Sequence, residues 1–329
     1  MGDTRLTLAF EAGAVSLPQD GEIIVLCPHL DADMSVFPTD RLSIVQGFAP
    51  DHAVWQQRGF SVFTDVPERR FACAVVTLPR AKAQAHAMLA AAAGLGGSVI
   101  VDGAKTDGVD SIYKALRELV PVSGAFSKAH GKVFQIAPTD VLDVWSMPDM
   151  QLIEGGWTTA PGVFSADAPD KGSLALADAL PRIKGRVADL GAGWGYLSAR
   201  VLAQSDAVKE ISLVEADWAA LEASRHNVTD PRATFHWADA TTWAGGRFDH
   251  VICNPPFHTE RRADPALGAA FIASAARLLA PSGSLWLVAN RHLPYERSLR
   301  AAFTEVTELP GPAAFKLFCA RKPARAPRS

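Results

Sequence analysis

The stretch "FACAVVTLPR" at 71–80 matches "FDHVICNPPF" at 248–257 position for position, an apolar strand running into a proline turn. An Ala-rich helical stretch follows in each half, then "GGSVIVDG" in one and "SGSLWLVAN" in the other. Late in each half "GKVFQI" corresponds to "FKLFCA". This repetition restricts the chain to two tandem copies of one architecture. Within the second copy, β-branched runs ("GRVADL", "EISLVEAD", "ATFHWADA", "FDHVICN") alternate with helical patterns ("YLSARVLAQ", "WAALEASRHN", "ADPALGAAFIASAARLLA"). In the last of these Leu267, Phe271 and Leu278 recur on one helical face. Strand–helix alternation implies an α/β fold with a doubly wound, mostly parallel sheet, and "TEVTEL" with "FKLFCARK" closes an antiparallel edge. The expected domains are 1–155 and 156–329, joined where Gly155, Gly156, Pro161, Gly162, Pro169 and Gly172 punctuate the chain.

Length supports the same division, since 329 residues suffice for two domains that each bury a core. A net charge of −3 argues against gripping nucleic acid over the whole surface and leaves a local basic patch open. Cys27, Cys73, Cys253 and Cys319 are far apart, so neither a disulfide framework nor a metal site is expected. The start "MGDTRLTLAFEAG" has no signal-peptide pattern and carries Leu6 where myristoylation wants Ser or Thr. The most apolar long stretch is broken by Gly94, Gly96 and Gly97, so no membrane span is expected and the cytoplasm is the expected compartment.

Chemistry concentrates in the second half. "VADLGAGWGYLS" places Asp189 at a strand end, followed by Gly191, Gly193 and Gly195 and then a helix. Glycines there allow a tight turn and close backbone approach to a ligand. Alone, such a loop is a weak signal. Here Glu215 ends the next strand, where a carboxylate can accept from ribose hydroxyls, and Asp239 ends the strand after that, within reach of an adenine amino group. The spacing is G-x-G-x-G rather than the dinucleotide pattern, no phosphate-binding lysine is present, and the early acid would repel a pyrophosphate. The expected cofactor carries ribose and adenine without phosphates, which describes S-adenosylmethionine. A nicotinamide dehydrogenase is the poorest fit.

In "HVICNPPFH" (250–258) the turn Asn254-Pro255-Pro256 has given up two backbone N–H groups, leaving carbonyls and the Asn254 amide oxygen. A wall of acceptors suits an amino group with two N–H donors. Holding both turns its lone pair toward an electrophilic methyl, so much of the catalysis is positioning. Phe257 adds a flat face on which a base can stack, worth about 1–3 kcal/mol. Asn254, Pro255, Pro256 and Phe257 are thus the candidate catalytic residues, with Asn254 also facing the cofactor. Cys253 follows strand residues expected to be buried, where thiols are usually inert, so it is not assigned a role.

These motifs, with "GVFSADAPDKGS" (162–173), "LVANRHLPY" and "FKLFCARK", resemble the bacterial small-subunit rRNA guanine-N2 methyltransferases of the RsmC type and their large-subunit relatives. The resemblance implies two tandem Rossmann-like methyltransferase domains, of which only the C-terminal one keeps the cofactor site. Leu78 and Arg80 replace the proline and the stacking aromatic in the first copy, and Pro28 and His29 stand where close approach to a cofactor would need glycine. It also implies that Phe164 and Gly172, beside Lys171, line the cofactor or target pocket. Arg261 and Arg262 are the expected phosphate contacts, and the basic tail with Arg321, Lys322, Arg325 and Arg328 is an arm for phosphates or a frayed end. The expected partner is ribosomal RNA or the small ribosomal subunit, met as a monomer without membrane or metal. Large-subunit rRNA, DNA adenine, protein glutamine and a non-catalytic cofactor-dependent RNA-binding role remain as alternatives.

Overall fold

A computed structural model describes residues 5–256, 258–259, 262–263 and 265–324, with the side chains of 257–264 left undescribed. The chain divides into two compact units, Met1–Asp149 and Met150–Ser329.

The first unit holds α1 (Arg5–Glu11), β1 (Ile23–Leu26), β2 (Leu42–Val45), α2 (Ala49–Gln57), β3 (Ser61–Phe63) and β4 (Cys73–Thr77). It continues through α3 (Lys82–Gly94), β5 (Ser98–Ala104), α4 (Val109–Leu119), β6 (Val122–Lys128) and β7 (Gly131–Ile136). The second opens with the hairpin β8 (Gln151–Ile153) and β9 (Trp157–Thr159), then α5 (Lys171–Ala179), β10 (Gly185–Leu190), α6 (Tyr196–Gln204) and β11 (Val208–Glu215). Next come α7 (Trp218–Asn227), β12 (Ala233–Trp237), β13 (Phe248–Cys253) and the two-residue strands β14 (His258–Thr259) and β15 (Arg262–Ala263). The unit ends with α8 (Pro265–Leu278), β16 (Leu279–Asn290), α9 (Glu296–Ala302), β17 (Phe303–Leu309) and β18 (Phe315–Pro323). Because Ile153 pairs with Trp157 across the Gly155-Gly156 turn, both strands of the β8–β9 hairpin go with the second unit.

The two seven-stranded sheets have one topology: β3-β2-β1-β4-β5-β7-β6 and β12-β11-β10-β13-β16-β18-β17. In each, the first five strands of that order pair in parallel, and the last two strands are added through antiparallel pairings. The fold is therefore two tandem Rossmann-like α/β domains with antiparallel edges, as the repeated pattern implies.

Side-chain alternation explains the two cores on either side of the second sheet. Val187, Ile211, Leu213, Ile252, Trp286 and Val288 point into one, with α5 and α6. Ala188, Leu190, Val214, Val251, Leu285 and Leu287 point into the other, with Phe271 and Leu278 of α8. Leu267, the third member of the expected α8 face, packs partly buried against that second core. Tyr295, 1% exposed, locks α8 to the start of α9: a Cβ on Gly268 would lie 2.0 Å from its hydroxyl oxygen. No described helix is long and apolar enough to cross a membrane.

That close approach predicts that Gly268→Ala forces Tyr295 out of its packed position. The expected loss is about 1–3 kcal/mol in urea denaturation, with an unchanged m-value. Wild-type stability in this variant would contradict the packing.

Candidate functional site

The strand order reverses between β10 and β13, both of which end at one edge of the second sheet. A doubly wound sheet opens a crevice at such a point. Here the glycine loop follows β10, and the Asn254-Pro255-Pro256 turn follows β13.

The three loop glycines are needed for different reasons. Gly191 has φ 70°, and a Cβ there would lie 3.2 Å from the Phe271 ring. Gly193 has φ 55° and open space where its Cβ would stand. Gly195 has φ 88° and caps α6; its Cβ would meet Val228 at 2.9 Å and Ser224 at 3.2 Å. Gly195 therefore seats α6 against the end of α7, while Gly191 and Gly193 face the crevice.

Asp189 lies beneath this loop. It is 0% exposed, and its Oδ2 accepts from the Ser198 hydroxyl at 2.7 Å, tying β10 to α6. Its Oδ1 is buried with no hydrogen-bond partner among the described residues. Burial pushes this carboxyl up to about 7, opposed by the Ser198 hydrogen bond and reinforced by the nearby Glu215 charge. The structure thus places Asp189 behind the crevice wall rather than in it.

Glu215, at the end of β11, is held by backbone donors. Oε1 accepts from Ala216 and Asp217 at 2.8 and 2.9 Å, and Oε2 accepts from the Gly193 N–H at 2.7 Å. Burial raises its carboxyl, and the hydrogen bonds from Asp217 and Gly193 oppose that. A carboxylate oxygen has two lone pairs, so Oε2 keeps one acceptor site beyond Gly193. Asp239, two residues past β12, turns inward to its own loop, with Oδ1 accepting from the backbone and hydroxyl of Thr241 at 2.8 and 2.7 Å.

A second brace was not visible from motif reading. Asn227 closes α7, accepts from the Thr158 N–H, and donates to the carbonyls of Thr158 and Trp194, each at 2.7 Å. One amide so joins the β8–β9 hairpin to the glycine loop. Trp194 adds a bond from its indole N–H to the Ser165 carbonyl at 3.3 Å.

Across the crevice stands Asn254. Its Nδ2 donates to Asp170 Oδ2 at 2.8 Å and to Ser173 Oγ at 2.9 Å. Both amide hydrogens are thereby engaged, and Oδ1 is the group left without a partner among the described residues. Asp170 also caps α5 through the Ser173 N–H at 2.8 Å. Gly172 lies behind the wall: a Cβ there would press on Asp170, Phe315 and Val288 at 2.9, 3.2 and 3.3 Å, so its role is packing. Phe164 stands 56% exposed on the crevice wall beside Ser165, which holds φ 55°. Cys253 is buried, and burial first, then the Asp189 charge, raises its thiol well above the usual range, so it is no nucleophile. Phe257 and Arg261 lie outside the described residues, as does the side chain of Arg262.

The resulting cleft of about 400 Å³ is lined by Phe164, Ser165, Asp170, Ser173, the 191–194 loop, Tyr196, Leu197 and Asn254. Its described lining contains a carboxylate and no lysine or arginine, which suits a cationic or neutral ligand without phosphates.

Fold and cleft together define a doubly wound α/β protein with a small-molecule site at the switch point of its second sheet. The chain belongs to the methyltransferase small domain family, whose model matches residues 154–319, just over half of it. It is 35% identical over 232 residues to the ribosomal RNA small subunit methyltransferase C of Sodalis glossinidius, covering 68% of this chain and 65% of that protein. It is 34% identical over 173 residues to the ribosomal RNA large subunit methyltransferase G of Alcanivorax borkumensis, covering 50% of this chain and 44% of that one. The chain thus spans less than two thirds of the length of either relative. Among solved structures, its fold is similar to that of the T. thermophilus 16S rRNA N2 methyltransferase RsmC in complex with AdoMet and guanosine. The TM-score is 0.74 at 23% identity, over 93% of this chain and 90% of that one.

The Asp189 environment generates a pH prediction. Its carboxyl, raised in the fold, keeps a proton between about pH 4 and pH 7 that the unfolded chain has lost. Its contribution to stability therefore falls as pH rises through that window and levels off above it. Asp189→Asn removes this dependence, so the variant should gain about 2–4 kcal/mol on wild type between pH 4 and pH 7. Urea denaturation of both ligand-free proteins across this range measures it. Parallel curves would mean that Asp189 is ionised in the fold.

Proposed function

We propose that the second unit binds S-adenosylmethionine at this cleft and methylates the exocyclic N2 amino group of a guanine in small-subunit rRNA. The observation that carries the reading is the orientation of Asn254. With both Nδ2 hydrogens held by Asp170 and Ser173, the amide oxygen is the atom left to accept. An amino group with two hydrogens finds acceptors there, in Asn254 Oδ1 and the donor-free Pro255-Pro256 turn. Phe257 is assigned to stack the target base, and Arg261 and Arg262 to meet RNA phosphates. A guanine within a helix reaches such a site only when flipped out.

The residues of the cleft fit the proposed cofactor. Gly193 leaves room for close approach, the spare lone pair of Glu215 suits a ribose hydroxyl, and the Asp170 carboxylate in the lining suits a sulfonium charge. Asp239 is assigned to the adenine side. Bound there, S-adenosylmethionine supplies a methyl that passes to N2, the C–S electron pair staying on sulfur and the amino proton passing to solvent. The protein's part is to exclude misaligned amino groups and to hold the lone pair on line. The RNA target is supported by the 35% identity to a small-subunit rRNA methyltransferase C and by the shared fold with RsmC. The 34% identity to a large-subunit rRNA methyltransferase G favours a second reading, in which the guanine lies in large-subunit rRNA. We place the protein in the cytoplasm, where ribosomal RNA is modified.

The first unit is assigned no cofactor. At the corresponding edge Arg5 reaches Asp102 at 2.6 Å and the Ala129 carbonyl at 3.2 Å, filling the space with an ion pair. Leu78, at the place of Pro255, is 2% exposed and packs toward Gly103.

Asn254→Ala leaves the proline turn stiff, so it should keep the fold while lowering turnover by at least about a hundredfold. Phe257→Ala should lower turnover and spare cofactor affinity. Labelled S-adenosylmethionine, offered with small-subunit RNA, large-subunit RNA, DNA and protein separately, followed by nucleoside mass analysis, tests both the activity and its target. A fully active Asn254→Ala protein, or label in none of these acceptors, overturns the reading.

Calorimetry of the full chain should titrate to one equivalent of S-adenosylmethionine. Glu215→Ala should weaken that single event by about 1.5–3 kcal/mol, the loss of a hydrogen bond to a charged group. A second equivalent that survives Glu215→Ala would place a cofactor site in the first unit.

A further inference from the structure

We infer that Asp170, assisted by Ser173, is a positioning residue that selects one of the two flip states of the Asn254 amide. The inference rests on the methyl transfer proposed above. Rotating a terminal amide by half a turn exchanges oxygen and nitrogen at almost no steric cost, because that torsion is broad and two-fold. Nothing in the shape of Asn254 decides which atom faces an incoming amino group. Hydrogen-bond partners decide it, and the two partners differ in kind.

An ionised carboxylate only accepts. Asp170 Oδ2, 2.8 Å from Asn254 Nδ2, would meet the amide oxygen lone pair to lone pair if the amide flipped. Ser173 Oγ, at 2.9 Å, can donate as well as accept, so it tolerates either state. The discrimination therefore lies with Asp170, and Ser173 contributes a second bond to the state so chosen. Asp170 is itself immobilised, because the same oxygen takes the Ser173 N–H at 2.8 Å as the cap of α5. A cap in the second unit's first α-helix and a turn 84 residues later thus share one oxygen atom. In the flipped state the amide would present N–H groups to an amino group, donor against donor, and the target would be repelled from the reacting geometry.

The test separates capping from amide selection. Asp170→Ser keeps a good cap, since serine caps about as well as aspartate, but its hydroxyl can donate to a flipped amide. Asp170→Ser should lower kcat about 10- to 100-fold; because it also removes the carboxylate of the described cleft lining, S-adenosylmethionine Kd should rise as well, by a smaller factor than kcat falls. Ser173→Ala, whose backbone N–H is untouched, should cost less than about tenfold. In an Asn254→Ala background Asp170→Ser should have no further effect on kcat, because there is no amide left to orient. Should Asp170→Ser fold poorly, Asp170→Asn, isosteric and equally good as a cap, carries the same cycle with a smaller expected loss.

Unchanged kcat, an equal loss with and without Asn254, or a cofactor Kd that moves as far as kcat would overturn the assignment. NMR of the Asn254 side-chain amide supplies a readout independent of turnover: its two protons should exchange slowly in wild type and fast in Asp170→Ser. If wild type methylates no RNA while this protection is present and lost on substitution, the reading of function fails and the positioning role stands. Unprotected amide protons in the wild type would sink the positioning role itself.

Discussion

A parallel sheet buried on both faces leaves its carboxyl edge as the place where chain ends, dipoles and open space coincide. In the second unit every element of the site follows from that constraint. The strands carry apolar side chains to both faces, so the sheet cannot host polar chemistry within its body. Asp189 is the one carboxyl among the buried strand residues of that body, kept by its bond to Ser198 at a cost that appears as a carboxyl raised to about 7. Loops leaving β10, β11 and β13 then meet over a short distance, and Glu215 joins two of them through the Gly193 N–H.

Much of this was legible from local pattern. The helices "YLSARVLAQ" and "WAALEASRHN" form over Tyr196–Gln204 and Trp218–Asn227, because apolar spacing and sharp boundaries both fall within single segments. The antiparallel closure by β17 and β18 was visible as two short alternating runs, and the duplication as a repeated order of elements. β16 reaches back to Leu279, further than "GSLWLVAN" suggested, because Phe248 pairs with Leu279 before the register shifts. A register shift depends on the neighbouring strand and leaves no mark in its own residues.

Site reading from sequence was good at naming motifs and poor at saying which face of them matters. Gly191, Gly193 and Gly195 look alike on paper, yet one packs on Phe271, one opens to the crevice and one seats a helix. Gly172 drew attention as part of "KGS", while its neighbours Asp170 and Ser173 make the contacts to Asn254. Asn227 carries no motif at all. These contacts join residues 33 to 84 positions apart, and only the closed fold brings them together. Reading Asp170 as a helix cap from S/T/D/N preference would have found its local bond to Ser173 and not its distant one.

The first unit shows how little the shared topology constrains chemistry. Cys27 follows β1 as Gly191 follows β10, and both hold a left-handed backbone, at φ 51° and 70°. The turn has been kept although a cysteine must bear strain that glycine avoids. What differs is the space above it. Pro28 is buried next to the turn, and Arg5 brings its guanidinium to Asp102, which pairs with Thr77 across the β4–β5 ladder. Thr77 is the counterpart of Asn254, so the ion pair of the first unit occupies the edge where the second unit presents an amide. A buried charge must be paired to be tolerated, and an edge closed in this way cannot also offer unpaired acceptors to a ligand. The same backbone thus serves two ends: one copy pairs its polar groups with each other, and the other keeps the Asn254 oxygen and a lone pair of Glu215 open toward the cleft.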